Sequence, residues 1–340
     1  MRRPSVQIAG ILMAAGALAL SGCTSGSEDP GSSAGGGEGT LDVVASTNVY
    51  GNIMETVGGD HISVSSIIDR PSQDPHSYEA TARDKLAVSG ADLVVLNGGG
   101  YDTFMETLVA DSGIDAANVL NAVEISGLEE AGGENHDDDH TSAGGADDHA
   151  DDHADAHDDD HAGHSHGSFN EHVWYSPEAM GLLAEAAAER LSVLDPENSS
   201  DYRDNAAAFN SGIDALTADL AEDKEVTGKR DVAVTEPVPE YLFVAAGLHN
   251  VTPDAFTSAA EEGSDVPPAV LKEMQDLLRS GEVAFLAYNT QTSTAQTETV
   301  RATAEEEGVP VLDFSETLPD GQDYLTWMGA NVASIDDVLR

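Results

Sequence analysis

The chain has 340 residues, with 63 acidic against 14 basic side chains and a formal net charge of −49 at neutral pH. A polyanion of this density is repelled by nucleic-acid phosphates and gains nothing at an anionic lipid surface, which excludes both as partners and favours cations. Setting aside non-globular stretches at the N-terminus and in the middle, about 260 residues remain, enough for two lobes with cores of their own.

Arg2 and Arg3 precede an apolar run over residues 8–20. Its thirteen residues fall short of the ~20 that span a bilayer, so the run reads as an export signal. It ends in Leu20-Ser21-Gly22-Cys23, which resembles the lipobox of bacterial lipoproteins, in which the cysteine carries the lipid. The expectation is a signal peptide over 1–22 and a Gly/Ser-rich tether over 23–40. The protein is then extracytoplasmic, held to the outer face of the cytoplasmic membrane (or facing a periplasm) by the lipid on Cys23 alone. Cys23 is the only cysteine, so no disulfide forms and any metal ligands are His, carboxylate or amide.

Residues 41–47 read as a buried strand, 49–57 as a helix and 61–68 as an alternating strand. A turn-rich loop over 70–76 leads to a helix over 79–89 and an apolar strand over 92–96. Gly98-Gly99-Gly100 then precedes a helix over 101–109 and a short strand over 118–121. The stretch 129–168 breaks the pattern. Between Glu134 and His166 stand eight histidines and twelve acidic residues, with no Lys, Arg or large apolar side chain. Such a stretch cannot bury enough surface to offset ordering entropy and reads as a mobile loop. Helical patterns follow over 177–194 and 197–226, and then strands over 231–235, 250–252, 283–287 and 309–314 alternate with helices over 239–246, 267–280 and 294–307 before a terminal helix. The fold class is therefore α/β: an N-terminal lobe over 41–175, a helical segment with a long linking helix over 176–228, and a C-terminal lobe over 229–340, with mainly parallel sheets. Ligands of such folds sit at the carboxyl ends of strands, here where the lobes face each other.

Four loops after strands carry good ligands for a first-row metal. They are Asp74-Pro75-His76-Ser77-Tyr78-Glu79, Asn170-Glu171-His172-Val173-Trp174, Val234-Thr235-Glu236-Pro237 and Ala287-Tyr288-Asn289-Thr290-Gln291. Two imidazoles, His76 and His172, and the carboxylate of Glu236 form a donor set that zinc and manganese accept. Each has a plainer reading as well: a loop histidine is often merely hydrogen-bonded, Glu236 could cap a helix, and Asn289 and Gln291 are common turn residues.

Together these loops resemble the metal-binding class of solute-binding proteins, the zinc and manganese receptors of ABC importers. The likeness runs from about Leu41 to the C-terminus and is most specific at 74–79, at His172-Val173-Trp174 and at Thr235-Glu236-Pro237. It implies two lobes that pinch one metal between them across a rigid helix, and delivery to an ABC permease and its ATPase by a monomeric receptor. It also implies a fourth ligand, commonly an Asp after a second-lobe strand. The matching segment holds no Asp, and Gln291 is the nearest placement.

Zinc-type members often carry a His-rich loop between the first two ligand segments. Here His136, His140, His149, His153, His157, His161, His164 and His166 occupy that place, four of them at four-residue spacing. On a transient helix such residues share one face and bind metal in pairs, although a slipped tetrapeptide repeat yields the same spacing. The loop favours Zn2+ as cargo; Mn2+ is the alternative, because a Glu in the third position suits a harder ion. No His-Glu-x-x-His helix marks a metallohydrolase, so no enzyme is expected. A metal-sequestering or adhesive surface lipoprotein without transport is the remaining alternative.

Overall fold

The computed structural model describes residues 40–70, 73, 75–129, 169–227 and 230–340. Cys23, the tether, Asp74 and the eight histidines from His136 to His166 lie outside the described residues.

The first sheet is wholly parallel. Its strands are β1 (Leu41–Thr47), β2 (Ile62–Ile68), β3 (Leu93–Leu96) and β4 (Val119–Asn121), in the spatial order β2-β1-β3-β4. The crossovers are α1 (Asn48–Gly58), α2 (Ala82–Gly90) and α3 (Thr103–Ser112). A central strand of a parallel sheet is covered on both faces, so β1 and β3 are continuous apolar runs: Val43, Val44 and Ala45, then all of Leu93–Leu96, are buried. A short α4 (Ala122–Ser126) follows β4. The alternation of residues does not announce it. Asn121 creates it locally, its side chain accepting from the Glu124 N–H at 3.2 Å, and Gly127 ends it in the left-handed region. Helix α2 starts three residues later than its sequence pattern suggests, because Thr81 and Asp84 form a reciprocal capping box that defines the first turn.

Two antiparallel helices, α5 (Pro177–Leu194) and α6 (Ser199–Thr227), come next. Ser176 caps α5 and Pro177 opens it. The 29 residues of α6 extend about 43 Å at 1.5 Å per residue. One stripe of α6 is buried, through Tyr202, Ala206, Phe209, Ile213, Leu216 and Leu220. Their 3–4 spacing keeps the apolar face on the core along the whole length.

The second sheet repeats the plan with β5 (Arg230–Val234), β6 (Leu248–Asn250), β7 (Val283–Asn289) and β8 (Val311–Phe314), parallel and in the order β6-β5-β7-β8. Its helices are α7 (Glu240–Ala245), α8 (Asp254–Glu261), α9 (Pro268–Arg279) and α10 (Ala295–Glu307), and α11 (Tyr324–Leu339) closes the chain. Helix α8 carries only Phe256, Ala259 and Ala260 as buried apolar residues, too sparse a stripe to stand out among its Thr and Ser neighbours. Strand β7 runs two residues past its apolar run, to Asn289, where a backbone bond to the Thr235 hydroxyl (2.9 Å) holds it beside β5.

A single apolar cluster runs from the first sheet through α5 and α6 into the second sheet and α11. Helix α11 is tied back to the first lobe by a buried bond from the Tyr324 hydroxyl to the Trp174 carbonyl (2.8 Å), and its ring lies 5.7 Å from Phe209. Phe209 is 2% exposed, whereas Leu86 on α2 is 75% exposed. Truncating Phe209 to Ala therefore removes a fully packed ring and costs about 3–5 kcal/mol, while Leu86→Ala stays within about 0.5 kcal/mol of wild type. Urea unfolding of the two variants measures both.

Candidate metal centre

His76 occupies a tight turn between β2 and α2. The Tyr78 N–H donates to the Pro75 carbonyl (3.4 Å), and the Tyr78 hydroxyl donates to Asp84 (2.9 Å), which fastens the loop to the capping box of α2. The imidazole stands edge-on to Tyr101, with centroids 4.9 Å apart. Tyr101 reaches that place through the glycine run after β3: Gly98, Gly99 and Gly100 all have positive φ, which side chains with a Cβ rarely adopt. A Cβ on Gly98 would also strike Asn121 at 2.3 Å. The buried Asp102 carboxylate secures the turn by accepting from the Asn97 and Gly98 N–H groups at 2.7 and 2.9 Å. Burial pushes the Asp102 carboxyl up, and these bonds oppose that shift.

His172 packs against the same Tyr101 ring (6.0 Å) beside His76, fully buried, its ring 6.1 Å from that of His76 and 5.2 Å from Trp174. Asn170 determines its protonation pattern. The Asn170 amide nitrogen donates to the Pro237 carbonyl (2.8 Å), so its oxygen is the group facing His172. That oxygen accepts from the His172 N–H (3.1 Å) and from Nδ1 (2.6 Å), which must therefore carry a proton. The second nitrogen, Nε2, is buried and has no hydrogen-bond partner among the described residues. Burial, and secondarily His76, lowers the His172 pKa well below the ordinary 6.5, so the imidazole is neutral and Nε2 offers a lone pair. An orphaned lone pair of this kind is costly unless a cation takes it up, and a neutral imidazole held by its other nitrogen is the usual state of a histidine metal ligand.

Glu236 follows β5, is 2% exposed, and accepts from the Asn289 amide at 2.8 Å and from the Thr292 hydroxyl. The same Asn289 nitrogen donates at 2.8 Å to a second buried carboxylate, Glu316, in the loop after β8. Glu316 also accepts from the Tyr101 hydroxyl (3.1 Å), and its Oε2 stands 3.9 Å from His76 Nε2.

Gln291 takes another part than the expected fourth ligand. Its amide oxygen, the atom a metal would need, accepts from the Glu316 and Thr317 N–H groups (2.6 and 2.8 Å) and from the Thr317 hydroxyl (3.0 Å). It braces the loop that carries Glu316. Glu316 itself was open to discovery in the sequence as the only acidic residue just beyond the carboxyl end of the last strand, the position that Glu236 holds relative to β5. Glu171, beside His172, is the other acidic residue the loop pattern leaves unweighted. Among the described residues one group of three side chains, His76, Glu171 and His172, has candidate ligand atoms all within 4.8 Å of one another.

Acidic crowding extends beyond the site. The Glu261 carboxyl at the end of α8 is pushed up to about 8 by burial and then by Glu171, Glu236 and Glu316. The cleft thus has a strong negative field, into which a cation is drawn.

Residues 43–338 match the family described as ZnuA, zinc-uptake complex component A, periplasmic. The zinc-binding lipoprotein AdcA of Streptococcus pneumoniae is 25% identical over 312 residues, a match that takes in 88% of this chain and 56% of AdcA, so the chain spans little more than half of that relative. The manganese ABC transporter substrate-binding lipoprotein scaA of Streptococcus gordonii is 25% identical over 348 residues, covering 97% of each chain. Among solved structures, the periplasmic zinc-binding protein TroA from Treponema pallidum superposes with a TM-score of 0.66 at 17% identity, over 88% of this chain and 99% of that one, and so shares the fold. With the match extending over nearly all of both lobes, the chain belongs to the ZnuA family of periplasmic zinc-uptake components.

Proposed function

We propose that this protein captures a divalent transition metal ion, zinc foremost, outside the cytoplasm and delivers it to an ABC permease and its ATPase, doing no chemistry on its cargo. The observation that carries this is the neutral, fully buried His172 with its Nε2 left unpaired beside His76. His76 and His172 from the first lobe and Glu236 and Glu316 from the second supply two borderline nitrogens and two carboxylates, a set that suits zinc and also admits manganese. Glu316 replaces Gln291 as the fourth donor in this reading. The family and the names of the relatives support a receptor of this kind. Cys23 supplies the lipid anchor, and the eight histidines from His136 to His166 collect metal at weaker sites that feed the cleft.

Metal that binds only the folded form stabilises it by RT ln(1 + [L]/Kd), about 4 kcal/mol at a thousandfold excess over Kd. Wild type should show one tight zinc site by isothermal titration and a matching rise in thermal stability; His172→Ala and His76→Ala should lose both. Retention of wild-type affinity by either variant would remove that histidine from the ligand set.

Deleting residues 134–166 should leave the tight site and eliminate the weaker ones, since the four proposed donors all lie outside the deleted stretch. The same titration reads this; disappearance of the tight site would place a histidine of that stretch in the primary shell.

Acid release follows from ligand protonation. Protons compete with metal for an imidazole as pH falls through its pKa, and two solvated imidazoles of pKa near 6.5 would cost roughly tenfold in affinity between pH 7 and pH 6. Because the His172 pKa is depressed, its protonation sets in at lower pH, and the measured loss over that interval should be smaller. Chelator competition at the two pH values decides it, and a loss of tenfold or more would mean that His172 exchanges protons as a solvated group does.

A further inference from the structure

Glu171 stands where an additional ligand would. The Val173 N–H donates to the Glu171 carbonyl at 2.7 Å, and His172 between them has φ −76° and ψ 50°, an inverse γ-turn that doubles the backbone back at this point. The Asn97 amide donates to the same Glu171 carbonyl at 3.0 Å, so the turn is held from outside as well. The consequence is that two consecutive side chains, which in extended backbone would point apart, both bring ligand atoms to within 4.8 Å of each other and of His76. Donor atoms sharing one ion lie roughly 3–4.5 Å apart for bonds of about 2.0–2.2 Å, so adjustments of under an ångström would bring the three onto one ion.

The carboxylate is also unaccounted for by the rest of the fold. Glu171 is 7% exposed, and among the described residues no hydrogen bond or ion pair reaches its carboxylate oxygens. It shares a neighbourhood with Glu236, Glu261 and Glu316, whose combined field is felt at Glu261. Carboxylates gathered this closely form a negative field that draws in a cation. The unpaired Nε2 of His172, the neighbouring residue, points to the same cation.

We propose that Glu171 is a direct ligand, a fifth donor beyond His76, His172, Glu236 and Glu316, and that its carboxylate is what lets the site hold manganese as well as zinc. This rests on the capture function proposed above. Zinc is satisfied by four donors in a tetrahedron, whereas manganese prefers more oxygen donors and a higher coordination number. A third carboxylate supplies both needs.

The test compares wild type with Glu171→Gln, which keeps the shape and removes the charge, using zinc and manganese separately in chelator competition. Manganese affinity should fall at least about tenfold and zinc affinity by clearly less. Cobalt(II) bound in place of the cargo should gain visible absorption in the variant, as a crowded coordination sphere relaxes towards a tetrahedron. Unchanged affinity for both metals, or a zinc loss as large as the manganese loss, overturns the proposal. Melting of the metal-free variant checks its fold, and Glu171→Asp, which keeps the charge but shortens the reach, should show the same ordering of losses if Glu171→Gln does not fold. Wild type binding neither metal tightly would instead sink the capture function itself, an outcome distinct from a wild type that binds tightly and a variant that matches it.

Discussion

Keeping one imidazole neutral, immobile and open on a single nitrogen in a dry wall is the constraint around which the rest of the molecule is arranged. Left to itself, a buried imidazole would find a hydrogen-bond partner for each nitrogen. Asn170 prevents an arbitrary outcome because it is oriented from elsewhere: its side-chain nitrogen donates to the Pro237 carbonyl (2.8 Å), and its backbone carbonyl accepts from the Tyr241 hydroxyl (2.6 Å). Both of those partners belong to the second lobe, in the loop and helix that follow Glu236. The residue that selects the tautomer of a first-lobe ligand is thus attached to the segment that carries a second-lobe ligand. Packing by Trp174 and Tyr101 then removes the remaining freedom of the ring.

The acidic side of the cleft meets the opposite difficulty. Glu236 and Glu316 are like charges, 2% and 1% exposed, and would repel each other in a medium of low polarisability. One amide nitrogen, on Asn289, donates to both and keeps them in place without a positive charge of its own. An arginine in that position would neutralise them and compete with the cargo. A neutral donor organises the pair without cancelling their charge. Gln291 acts one step further back, binding the backbone of the Glu316 loop. Uncharged amides and hydroxyls, from Asn289, Thr292 and Tyr101, position the two carboxylates.

Much of the fold was legible because its signals are local and additive. Parallel strands buried on both faces read as apolar runs, and β1 and the bounds of α5 follow from their residues alone. The two missed helices, α4 and α8, are short and sparse in apolar residues, and depend on one capping side chain or on tertiary burial. At the site, His76, His172 and Glu236 stood out because each lies in a loop after a strand and has a side chain suited to a metal. The same placement singles out Gln291, and only the hydrogen bonds of the folded loop show its oxygen engaged by the Glu316 loop. Glu316 and Glu171 were hidden by abundance. In a chain with 63 acidic residues, one more Glu carries little information until the backbone shows which ones are buried.

The cross-lobe role of Asn170 sets up a conflict in evolutionary terms. A single nucleotide change converts an asparagine codon to aspartate, and the resulting carboxylate would be a better acceptor for the His172 Nδ1 proton, making Nε2 more basic. It could not, however, donate to the Pro237 carbonyl; it would turn an attraction between the lobes into a repulsion. A lineage drifting across that substitution would exchange attachment of the two halves for ligand basicity, gaining grip on the ion while loosening the jaws that hold it. Descendants with an acid at this position should therefore carry a compensating donor facing the Pro237 carbonyl.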